Sequence, residues 1–342
     1  MNFKKLLATI LATVMLLSSC LLVSCDKAPE NADSSATAGS QATDNVNGTE
    51  IEKGDWDKTA KIIILAGQSN MAGSTNKSYI RTIKDFTTAK KKQLLLDGFP
   101  NIKIMFNSGS ADAPSSSWHT SYDKLEKVVA GQGAFPDKSM FGPELGLADY
   151  LDEKYPGETF YIVKHALGGS FIDEYLSNPM AGRNDSYVAL TYLMNNAIPA
   201  VEADSGLKAE VVAFCWMQGE SDAMAPIYAD AYYEKLGTLV DKIRTDYGQY
   251  APANGIAFID ATVNNTGIWV SHDIVNNAKT EYQASNPSLN YLIDTNAEGL
   301  TCANEPKGNP DLAHYDSMSQ LMLGRLFGEN VSAALEKAYK KG

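Results

Sequence analysis

The chain has 342 residues, 44% hydrophobic and 20% charged, enough apolar material for one large domain or two small ones. Its formal net charge is -12, with no block of Lys and Arg beyond Lys90-Lys91-Lys92, which argues against nucleic acid as a partner. No C-x-x-C and no His pair at metal-ligand spacing is present, so no metal is expected.

Lys4 and Lys5 precede an apolar run from Leu6 to Leu17, too short for a comfortable membrane span and suited to a leader. Leu22-Val23-Ser24-Cys25 then places small residues before a cysteine, as a bacterial lipobox does. Leu17-Ser18-Ser19-Cys20 has the same form, but polar composition begins right after Cys25, which is therefore preferred. Residues 1–24 are expected to be a lipoprotein signal peptide, with the lipid on Cys25. The chain is then expected at the bacterial cell surface, or secreted, meeting the membrane only through that anchor. Residues 25–58 are rich in Ser, Ala, Asn, Asp, Gly and Thr and read as a flexible tether. Residues 59–342 form the folded domain.

That domain opens with Lys61 to Gly73, KIIILAGQSNMAG. The apolar run Ile62 to Leu65, rich in β-branched residues and bounded by Gly67, predicts a buried strand ending at a tight turn. Ser69 follows at the carboxyl edge, where open α/β sheets bind ligands. A helix starting near Asn70 would favour negative charge at Ser69. Taken alone, the same residues also suit a plain helix N-cap. Leu94 to Leu96 packs a short helix, and Ile102 to Phe106 alternates as an edge strand. Residues 107–136, with Trp118 and His119, read as a long irregular segment. Phe141-Gly142-Pro143-Glu144 opens a helix through Lys154, with Pro143 in its first turn.

Thr159 to Val163 predicts the next strand, running into Lys164-His165-Ala166-Leu167-Gly168-Gly169-Ser170. Two glycines there let a backbone N–H approach a ligand closely, although Gly-Gly also suits a simple turn. His165 reads as a packing histidine. Tyr187 to Val201 is a helix, and Glu210 to Trp216 an apolar central strand leading into Met217-Gln218-Gly219-Glu220-Ser221-Asp222. Cys215 in that strand reads as a small buried hydrophobe, and its pairing with Cys302 is left open. A long amphipathic helix spans Ile227 to Tyr247. A strand from Gly255 to Ala261, an irregular stretch from Thr262 to Ala284 and a short strand from Tyr291 to Asp294 follow. Asp311-Leu312-Ala313-His314 precedes a final helix, Ser317 to Lys340, packed by Leu321, Leu323, Leu326 and Leu335. The alternation predicts an α/β domain with a parallel sheet covered on both faces.

Gly67-Gln68-Ser69-Asn70-Met71 resembles the nucleophile block of the SGNH (GDSL-like) hydrolases, in particular the sialate O-acetylesterase and carbohydrate esterase family 6 branch. Met71 stands where the G-x-S-x-G elbow of α/β-hydrolases has its second glycine. Gly168-Gly169-Ser170, Trp216-Met217-Gln218-Gly219-Glu220-Ser221 and Asp311-Leu312-Ala313-His314 resemble the later blocks, in family order. The resemblance spans Lys61 to Lys340 and implies a three-layer α/β/α, flavodoxin-like fold. It implies a serine esterase that removes O-acetyl groups from a carbohydrate such as sialic acid or xylan, without a cofactor. Ser69 would be the nucleophile, His314 the base and Asp311 its orienter. The three-residue spacing lets the carboxylate reach the ring and set its tautomer. The oxyanion hole would comprise the N–H groups of Ser69 and Gly168, with Gly169 as alternative, and the Gln218 amide. Gly169, Glu220 and Trp118 are candidate substrate contacts; Trp118 either stacks on a sugar or anchors its loop. Two other readings stand: a glycan-binding surface lipoprotein without catalysis, and an esterase for non-carbohydrate acyl groups.

Overall fold

A computed structural model describes residues 52–108, 119–121, 123–179 and 185–340. Strand β1 (Thr59–Gly67) is apolar on both faces: Ile62 and Ile64 enter one core, Ile63 and Leu65 the other. Such a strand belongs in the middle of a doubly covered sheet. The other strands are β2 (Phe99–Asn107), β3 (Glu126–Val128), β4 (Phe160–Ala166), β5 (Lys208–Met217), β6 (Ala257–Ala261) and β7 (Asn290–Ile293). Their order is β7-β6-β5-β1-β4-β2-β3, and every pairing is parallel except β2 with β3.

Without the β2–β3 edge, the order β4-β1-β5-β6-β7 is the flavodoxin arrangement, as the resemblance implied. Chain direction across the sheet reverses around β1, which puts the ligand crevice outside its carboxyl end. Helices α1 (Ser69–Ala72), α2 (Pro143–Lys154), α3 (Ser186–Ser205), α4 (Tyr232–Asp246), α5 (His272–Ser285) and α6 (Ser317–Ala338) complete the frame. Leu145 and Leu147 of α2 and Leu323 and Phe327 of α6 fill one core. Leu190 of α3, Leu236 of α4 and Val275 of α5 fill the other.

Several expectations change. The strand expected at 102–106 is longer and lies one place in from the edge. Strand β3, inside the stretch read as irregular, pairs with it and covers ladder groups that would otherwise be open. Residues 272–285 are helical rather than irregular. The buried stripe of α5 is Val275, Ala278, Lys279 and Tyr282, and its lysine and tyrosine hide the apolar period. Lys279 is buried because its ammonium meets Asp260 at 2.5 Å. The helix expected over 227–247 breaks before Tyr232, whose hydroxyl bonds the Gln218 side chain. The folded part also begins before residue 59. Gly54–Asp55 pairs with Tyr339–Lys340, and Trp56 is buried against Tyr155, Phe160 and Tyr339. An indole packed in this way holds 54–58 in the domain, which shortens the expected tether. Cys215 and Cys302 are buried free thiols. Among the described residues, no helix is long and apolar enough to cross a membrane.

Candidate active site

The turn after β1 is set by Gly67, at φ +149°. A Cβ there would stand 2.0 Å from the Met217 carbonyl oxygen, so only glycine lets this turn cross the end of β5. The Gln68 N–H donates to that same carbonyl at 3.0 Å, and the Gln68 Oε1 accepts from the Ser221 N–H at 3.1 Å. The chain then coils through α1, with Ser69 as its first residue and half-buried.

From the neighbouring strand, the Leu167 N–H donates to the Gly67 carbonyl at 3.1 Å, so β4 delivers its glycines beside the Ser69 turn. A Cβ built on Gly168 would lie 3.8 Å from the Ser69 Cβ. Gly169, at φ +70°, occupies the left-handed region that a glycine tolerates. Gly168 is therefore the glycine that abuts Ser69, and Gly169 serves the turn.

The Asp311–His314 segment forms the local pair expected from its spacing. The His314 Nδ1 lies 2.7 Å from Asp311 Oδ2, and the His314 N–H donates to the Asp311 carbonyl at 3.2 Å. Burial pushes the Asp311 carboxyl up. The hydrogen bond from His314, the attraction of that ring and the Ala313 N–H outweigh it and hold the acid below its usual range. A charged carboxylate on Nδ1 fixes the tautomer that leaves Nε2 to take a proton.

The link between Ser69 and this pair is Asn70, to which sequence reasoning gave no role. Its Nδ2 donates to the Ala313 carbonyl at 3.1 Å, and its Oδ1 accepts from the Tyr315 N–H at 3.1 Å. The side chain next to the serine thus holds the backbone on both sides of His314. The only available signal was the Asn in GQSNM.

Two assignments change. The Gln218 Nε2 faces the Asp222 carboxylate at 2.5 Å, the Ser170 carbonyl at 2.9 Å and Gln68 Oε1 at 3.3 Å. Both its N–H bonds are committed to protein acceptors, so this side chain braces the loop rather than serving an oxyanion. Glu220 is 1% exposed and accepts from Asn70 Nδ2 at 2.7 Å, so it lies beneath the site and does not meet substrate. Trp118 and Cys25 lie outside the described residues.

A second support lies under α1. Lys164 donates to Glu144 at 2.9 Å, to the Gln132 carbonyl at 2.7 Å and to the Ala72 carbonyl at 3.1 Å. Glu144 also accepts from the Gly142 N–H at 2.9 Å, and both charged groups are buried. This pair pins the end of the Ser69 turn to α2. Lys164→Met leaves Glu144 as an uncompensated buried charge and is expected to cost about 3–5 kcal/mol of stability. Urea unfolding of the two proteins measures this.

A sequence model of the family described as carbohydrate esterase, sialic acid-specific acetylesterase, matches residues 59–333. The chain belongs to this family. The acetylesterase is thus a carbohydrate O-acetylesterase, as the sequence motifs implied, on an α/β fold with a mostly parallel central sheet. No curated protein matches it by sequence. Among solved structures, it is similar to a protein from Arabidopsis thaliana at 20% identity, with 80% of this chain and 98% of that one covered and a TM-score of 0.54. It is also similar to NanS at 16% identity, with 82% and 98% covered and a TM-score of 0.54. At these identities the two structures support the fold of the esterase alone.

Proposed function

We propose that the acetylesterase works through an acetyl-serine intermediate at Ser69. The Ser69 oxygen bonds to the ester carbonyl carbon while its proton passes to His314 Nε2. The C–O bond to the sugar breaks, and the departing oxygen takes that proton. Water then adds to the acetyl carbon with the same base, and acetate leaves. The N–H groups of Ser69 and Gly168 receive the oxyanion; losing one such donor typically costs about 10²–10³ in rate. The observation that carries this reading is the Asp311–His314 hydrogen bond, held against the segment that bears Ser69.

The family's description favours O-acetylated sialic acid over acetylated xylan as substrate. The leader and Leu22-Val23-Ser24-Cys25 support lipidation at Cys25 and a place on the bacterial surface. The test is rapid quenching during turnover followed by peptide mass analysis. One acetyl group is expected on the Ser69 peptide, with faster acetate release from O-acetylated sialic acid than from acetyl-xylan. Glycan binding without acetate release would favour the non-catalytic reading instead.

A further inference from the structure

Two buried side chains next to the site have no part in the mechanism above, yet they contact each other and reach the base. Asn70 has an amide with both ends in use. Its Oδ1 faces a donor, the Tyr315 N–H, and its Nδ2 faces two acceptors, the Ala313 carbonyl and Glu220 Oε1. Rotating this amide by half a turn would set its oxygen against two oxygens and its NH2 against an N–H. One orientation therefore dominates, and a carboxylate, which accepts only, enforces it. Glu220 Oε1 supplies that acceptor, while Oε2 has no hydrogen-bond partner among the described residues.

A buried, half-satisfied acid is costly to keep. Burial pushes its carboxyl up, and the Asn70 amide, its own backbone N–H and the charges of Lys279 and His314 offset this only in part. Asp260, held by Lys279, lies close enough to repel it. Packing alone does not call for an acid here. Holding the Asn70 amide in one orientation calls for an oxygen acceptor at this place, which Glu220 supplies.

Asn70 is covalently adjacent to Ser69, and residues 313 and 315 flank His314. The amide therefore measures the separation between nucleophile and base. We propose that Asn70 and Glu220 form a positioning pair: Glu220 locks the Asn70 amide, and the amide holds the His314 backbone in register with Ser69. The inference rests on the serine-hydrolase reading above. Neither residue touches the reacting atoms.

Displacing a base by about 1 Å costs up to about 10²-fold in rate, so Asn70→Ala and Glu220→Leu are each expected to lower kcat by about 10–10²-fold. KM is expected to stay within about twofold, since both side chains lie away from substrate. Glu220→Gln keeps an oxygen acceptor and is expected to recover most of the rate lost in Glu220→Leu. The double variant is expected to be no slower than Asn70→Ala alone, because both changes break one device. A second readout is the NMR resonance of the proton between His314 and Asp311, expected to be sharp in the native enzyme and broadened in Asn70→Ala.

The pair is overturned if folded Asn70→Ala keeps its kcat, if the two losses multiply, or if KM rises while kcat holds. If Asn70→Ala does not fold, Glu220→Gln against Glu220→Leu decides: equal rates overturn the pair, and rescue by Gln supports it. Failure of the native enzyme to release acetate from an aryl acetate would defeat the serine-hydrolase reading instead. The His314 resonance would then still decide the positioning claim, and an unchanged signal in Asn70→Ala would overturn it.

Discussion

Ser69→Ala is expected to lower acetate release from an aryl acetate by about 10⁴-fold or more, with the fold intact. The change removes one oxygen from a half-buried side chain. It leaves untouched the Gly67 crossing, the Gln68 bonds to Met217 and Ser221, and the Asn70 bonds to residues 313 and 315. Thermal unfolding is therefore expected to match that of the native protein while turnover disappears. The aryl ester isolates the acyl transfer from glycan recognition, because its leaving group needs no sugar-binding loop. A Ser69→Ala enzyme with native turnover would remove this residue from the mechanism.

His314→Gln is expected to cause a loss of similar size, because nucleophile and base act as a unit. The informative control is His165→Gln. His165 precedes the Gly168-Gly169 turn and is the other histidine that a motif search would weigh as base. It is fully buried, and its Nδ1 lies 3.0 Å from the Asn107 carbonyl. Burial pushes its pKa down to about 4, so it is neutral at pH 7. Its replacement is expected to cost stability, read in the unfolding midpoint, and to leave turnover per folded molecule near native. Measuring both variants with one aryl acetate separates the histidines. A silent His165→Gln beside an active His314→Gln would overturn the assignment.

The parts of the site legible in the sequence are those built from short-range geometry. The Ile62 to Leu65 run needs two cores, so its place in the sheet centre follows from composition alone. Gly67 marks a turn that a side chain would block, and Asp311 reaches His314 across three residues of one turn. Each involves a few neighbouring residues, and local sequence carries that information.

What escaped the sequence depends on partners far along the chain. Helix α5 was hidden because Lys279 fills a core position, tolerated only since Asp260 on β6 meets it. Trp56 belongs to the domain because Tyr339 from the other end of the chain packs on it.

The sequence by itself determined the family, the α/β sheet with Ser69 at its carboxyl edge, and the Asp311–His314 pairing, since strand pattern, turn sterics and one hydrogen-bonded turn are local properties. Only the tertiary structure decided which way the Gln218 and Asn70 amides point. Half a turn of an amide exchanges its accepting oxygen and its donating NH2, and the surrounding donors and acceptors choose between the two orientations. Asp222 and Ser170 turn Gln218 inward as a brace, while Glu220, Ala313 and Tyr315 aim Asn70 at the histidine backbone.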